Sequence, residues 1–167
     1  MREDVVTPPM ARRLRQAGLQ WEPQLGDWCA VLASAALGEA QAGLWLVAAV
    51  ANSTGLLGLM DAAGQWPLAR VPASECVWLP SAGKLKMLLR SRGLRVATQE
   101  RESGAHGLQL RHYCRAQRPG DAASIRDGDG PSESEAVAEV VLKVLAEQPG
   151  AGAAQWPAIS DAPTQRL

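Results

Sequence analysis

Hydrophobic and polar positions alternate most regularly between residues 94 and 115. Leu94, Val96 and Thr98 fall on one face of an extended chain, and Arg95, Ala97, Gln99 and Arg101 on the other. The glycines of 103–107 predict a hairpin loop. The returning strand then puts Leu108, Leu110, His112 and Cys114 on one face and Gln109, Arg111, Tyr113 and Arg115 on the other. Just before this hairpin the period changes. Ser81 caps a helix whose Leu85, Leu88 and Leu89 recur at i, i+3 and i+4, and Gly93 terminates it. The third clear periodic segment lies near the C-terminus. Ser132 and Glu135 have capping-box spacing, so each is expected to satisfy the other's free amide. Behind them Val137, Val140, Val141, Val144 and Leu145 form one apolar stripe, with Glu139 and Lys143 paired outside and Pro149-Gly150 as the stop.

Elsewhere the pattern is less regular. Thr7-Pro8-Pro9 opens a short helix with Met10 and Leu14 on one face, ended by Gly18. Short apolar runs at 28–32, 44–51 and 76–79 predict strands, with a turn at Asn52-Ser53-Thr54-Gly55. Residues 33–43 fit either an Ala-rich loop or one helical turn, and Gly55, Gly58 and Gly64 argue against a helix over 56–66. Residues 117–130 predict a polar connection ending in a flexible acidic turn, Asp127-Gly128-Asp129-Gly130. The expected architecture is α+β: an antiparallel sheet of about four or more strands with three main helices, in one domain over 7–148. Residues 149–167 are small, polar and Pro-containing, the composition of a disordered tail.

Composition adds three constraints. A chain of 167 residues suits one well-buried core. Cys29, Cys76 and Cys114 are odd in number and widely spaced, with no C-x-x-C pair, which argues against a zinc site or a disulfide framework and for reduced, buried thiols in the cytoplasm. The opening Met1-Arg2-Glu3-Asp4 lacks the apolar core of a signal peptide, and the most hydrophobic stretch, Leu44 to Met60, reads as buried strands on either side of the polar turn at 52–55, so no membrane span is expected. The net charge is zero, yet residues 70–118 carry +7 and residues 121–167 carry −5. That segregation suits either attraction of a polyanion or pairing inside the fold, and the second is the simpler expectation.

The order of motifs resembles a group of small uncharacterised proteins from Firmicutes and related bacteria, some encoded by phages or other mobile elements. The resemblance is carried by Leu14-Arg15-Gln16-Ala17-Gly18-Leu19-Gln20-Trp21-Glu22-Pro23-Gln24 with Gly26-Asp27-Trp28. It continues through Val77-Trp78-Leu79-Pro80 with Leu85 and Leu88-Leu89, and ends in the capped helix with Glu135-Ala136-Val137 and Leu142. This chain lacks the further large aromatics between Leu32 and Leu44. The resemblance implies a single α+β domain and supplies no catalytic residues.

Candidate chemistry is sparse. The outer hairpin face, with Arg95, Arg101, Arg111, Tyr113 and Arg115, offers guanidinium groups for phosphate and one ring for base stacking. A solvated strand face is the simpler explanation, since single-strand binders usually offer several aromatic platforms and this face has one. Trp66 and Trp156, flanked by turn residues, are candidate contacts for a protein partner. The Asp127–Gly130 segment fails as a calcium loop, because Ile125 and Ala136 would occupy required ligand positions. His112 lies two residues from Cys114 on one strand face, a pattern better explained by a partly buried His beside an inert thiol than by a nucleophile with its base. Neither a cofactor nor a metal is expected. The sequence favours a non-catalytic intracellular interaction or accessory module acting on a protein partner or on a second copy. The alternative is nucleic-acid binding through the basic hairpin face, with an enzyme of unrecognised type third.

Overall fold

The computed structural model describes residues 4–32, 43–51, 53–61, 63–65, 68–103 and 109–147. Helix α1 (Pro8–Gln16) leads into β1 (Trp28–Val31), β2 (Leu44–Ala51), β3 (Leu56–Met60), β4 (Leu68–Pro72) and β5 (Cys76–Trp78). Helix α2 (Ala82–Ser91), the hairpin β6 (Arg95–Ser103) and β7 (Gln109–Gln117), strand β8 (Arg126–Gly130) and helix α3 (Glu133–Ala146) follow. The α+β expectation is met, but with two sheets. One has five strands in the order β4-β3-β2-β1-β5, and the other has three, β6-β7-β8. Every pairing is antiparallel. No helix among the described residues is long and apolar enough to cross a membrane.

The three helices enclose the larger core. Leu14 of α1, Leu85 and Leu89 of α2, and Val137, Val140 and Val141 of α3 are fully buried together with Leu79 and Ala116. On the other side of the five-stranded sheet Cys29, Trp45, Val47, Leu57, Leu59 and Cys76 form a second core. Strands β1 and β5 serve both cores because alternate residues point to opposite faces: Ala30 and Val77 into the first, Cys29 and Cys76 into the second. The three cysteines are free and buried. Trp45 is buried, and Trp21, Trp28 and Trp78 are half-buried.

Two strands were not expected from the sequence. Strand β4 escapes pattern reading because it carries a bulge: Leu57 pairs with Val71 and Gly58 with Ala69, leaving Arg70 as the extra residue at φ 72°. Strand β8 corrects the flexible acidic turn. Its Asp127 and Asp129 pair with Arg115 and Tyr113 of β7, while Gly128 and Gly130 face α3.

The helix caps hold only in part. Ser132 Oγ accepts the Glu135 amide at 3.3 Å, a contact of a kind worth about 1 kcal/mol. The reciprocal bond is not made. The Glu135 carboxylate accepts instead from the Thr7 backbone N–H at 2.8 Å, so it ties the start of α1 to the start of α3. Thr7 itself makes no side-chain cap. The expected Glu139–Lys143 pair is also absent. Glu139 accepts from Arg13 at 2.6 Å, and Lys143 Nζ donates to the Asp127 carbonyl at 2.5 Å.

Candidate functional site

Strand alternation and register assemble the predicted face. Arg101 lies opposite Arg111, Gln99 opposite Tyr113, and Arg95 opposite Gln117, so Arg95, Arg101, Arg111, Tyr113 and Arg115 share one side of the three-stranded sheet. Helix α3 lies on the other side, packed against Gly128 and Gly130 of β8, so it does not cover the arginines. Trp66, Trp156, the hairpin loop expected at 103–107 and the tail expected at 149–167 lie wholly or largely outside the described residues, as does most of the ambiguous 33–43.

The sequence did not reveal that β8 brings acids to this face. Arg115 donates from Nε to Asp127 Oδ1 at 2.7 Å and from Nη2 to Oδ2 at 3.1 Å, a two-pronged contact. The same Nη2 donates to the Tyr113 hydroxyl at 2.8 Å. Arg111 donates to Asp129 at 2.6 Å. For Arg111 and Arg115 the pairing inside the fold that the charge segregation suggested is thus made by β8, so these two arginines do not simply face water. The guanidinium carbon of Arg101 stands 4.2 Å from the centre of the Tyr113 ring, and that of Arg115 stands 5.7 Å away. One ring thus orders two arginines. Four arginines and two aspartates leave the face positive by two charges.

The electrostatics follow from these contacts. The Arg115 guanidinium, and secondarily the Tyr113 hydroxyl, hold the Asp127 carboxyl down at about 2. A carboxyl depressed on folding adds stability above its unfolded pKa of about 3.9 and loses it as the pH falls through its folded value. Asp127 should therefore keep its charge until the pH falls to about 2. Its carbon-13 carboxyl titration in Arg115→Gln should move up toward the ordinary value of about 3.9. An unchanged midpoint would show that the pair is not formed. Asp127 is well exposed, so little stability rides on this shift.

The opposite face of the hairpin is structural. Glu133 at the start of α3 accepts from Lys86 of α2 at 2.5 Å and from Thr98 of β6 at 2.6 Å, joining three elements. Lys86 first, then Thr98, lowers the Glu133 pKa. Burial pushes the Cys114 thiol up to about 11, which suits the inert thiol expected beside His112. His112 is half-buried, with Nδ1 4.0 Å from Glu100. Among the described residues no group of three or more His, Cys, Asp or Glu is placed to hold a metal ion. No family model matches the chain, and neither does any curated protein or solved structure.

Proposed function

We propose that this chain is a non-catalytic, intracellular interaction module whose contact surface for a protein partner is the outer face of β6, β7 and β8. The observation that carries the reading is the stack of Arg101 on Tyr113, with Arg115 bonded to the same tyrosine and anchored by Asp127. Arg and Tyr dominate the centres of protein interfaces because they combine large apolar area with polar tips. Long side chains already held in place lose less freedom on binding than free ones do. Two arginines matched by two aspartates suit a partner of mixed charge better than a phosphate backbone. Three buried thiols fit a reducing compartment.

The test is affinity purification from the native host with tagged wild-type protein, Tyr113→Ala and Arg101→Glu. The expected result is one stoichiometric protein partner, whose affinity falls by about 2 kcal/mol or more in each variant while the melting temperature holds. Retention of the same partner by both variants would remove this face from the interface. Single-stranded oligonucleotide binding that falls steeply with salt would instead establish the basic face as a nucleic-acid surface.

A further inference from the structure

A groove of about 530 Å³ lies between α1 and β5 and shares no described lining residue with the arginine-rich hairpin. Its size is within the range of about 300–1,000 Å³ typical of small-molecule sites. Its apolar lining consists of the half-buried rings of Trp21 and Trp78 over a floor of almost wholly buried Leu14, Leu19 and Val77. Two constraints hold the Leu19–Trp21 side in place. Gly18, at φ 95°, turns the chain out of α1 and back along the groove, and Leu19 N–H returns to the Leu14 carbonyl at 3.0 Å. The Trp21 indole donates to buried Asp27 at 2.8 Å. Strand β5 is the edge of its sheet, so Trp78 meets a neighbouring strand on one side only.

The polar content of the groove is one-sided. Among the described residues Arg15 contributes its sole formal charge, and no Asp or Glu lines it. The guanidinium is held at the rim by the Cys76 carbonyl at 3.3 Å and the Ser74 carbonyl at 3.4 Å. Two donors are used in this way, and a guanidinium has five. An apolar trough with a fixed cation at its rim and no fixed anion selects a ligand with an apolar body and a negative end.

We infer that this groove binds a small amphiphilic carboxylate, an acyl or aryl acid, with its chain along Leu14, Leu19 and Trp21 and its carboxylate on Arg15. This site is independent of the sheet face described above, so either can fail alone. Octanoate is the probe, with 1-octanol and octylammonium as the uncharged and oppositely charged counterparts. Titration calorimetry of the full chain should rank octanoate first and octylammonium last. Nitrogen-15 NMR should move the indole signals of Trp21 and Trp78 and leave that of Trp45 in place. Arg15→Gln should weaken octanoate at least about tenfold and leave octanol unchanged, because only the charged end loses its partner. Arg12→Gln, an exposed change on the same helix away from the groove, should alter neither. Equal binding of octanoate and octylammonium to the wild type, or no binding of octanoate at about 10 mM, overturns the inference without recourse to any variant. So does a tenfold loss in Arg12→Gln.

Discussion

Gly128→Ala is expected to destabilise the protein by about 3 kcal/mol, the upper part of the range for overpacking a closed interior. A β-carbon at this position would lie 2.4 Å from the Ala136 carbonyl oxygen, 3.0 Å from Val140 Cγ2 and 3.1 Å from Glu139 Cβ. The nearest of these is helix backbone, which cannot rotate away as a side chain could. To admit one methyl group, α3 must lift from β8. Gly130→Ala should behave similarly, since its β-carbon would meet Glu135 Cβ at 2.7 Å and the Ala136 nitrogen at 2.8 Å. Gly83→Ala is the control. Its β-carbon would touch only Ser81 Oγ at 3.8 Å, and alanine favours a helix over glycine by up to about 1 kcal/mol. Urea titration followed by tryptophan fluorescence should show an early midpoint for Gly128→Ala and an equal or later one for Gly83→Ala. A wild-type midpoint in Gly128→Ala would mean that helix and strand are not in contact there. The loss should reach the outer face too, because β8 delivers Asp127 and Asp129 to the arginines.

The same two glycines explain why β8 was illegible. Alternation is present in Arg126-Asp127-Gly128-Asp129-Gly130, but the inward face carries two buried glycines and an arginine, so no hydrophobic signal marks it. Strand propensity is also among the lowest for Asp and Gly, and only tertiary packing overrides it. By contrast, the hairpin of β6 and β7 was readable, because Val96, Thr98 and Cys114 alternate against long polar residues. Five members of the candidate face were legible for that reason, and the acids that half-neutralise them were not. The helices were legible from caps and stops, Ser81 and Ser132 at their starts and Gly18 and Gly93 beyond their ends. The partners of their charged side chains were not. The local rule pairs Glu135 with Ser132 and Glu139 with Lys143. The fold brings Thr7 and Arg13 closer, and a carboxylate follows the nearest donor rather than the nearest sequence position.

Asp27→Ala should cost about 3 kcal/mol, the lower part of the range for breaking a buried ion pair. The Asp27 carboxylate is almost wholly buried, and each oxygen is used. Oδ1 accepts from Lys84 Nζ at 2.5 Å; Oδ2 accepts from the Trp21 indole at 2.8 Å and from the Gln24 backbone N–H at 3.0 Å. The backbone of Asp27 also accepts from Val47 N–H at 2.8 Å, so one residue joins the turn before β1 to β2 and to the first turn of α2. Its loss strands three donors. Lys84 is a quarter exposed and can swing partly into water, which keeps the cost below the upper end of the range. Lys84→Met makes the reverse defect, a buried carboxylate without its cation, and should cost as much or more. The double variant should cost less than the two single changes added together, because neither charge is then left alone. A coupling below about 0.5 kcal/mol in that cycle would reduce the pair to two independent side chains. Asp27→Ala also removes the only described hydrogen bond of the Trp21 indole, and Trp21 is a wall of the α1–β5 groove. Octanoate should therefore bind Asp27→Ala more weakly than wild type at a temperature where both are folded, although Asp27 is not among the residues lining the groove.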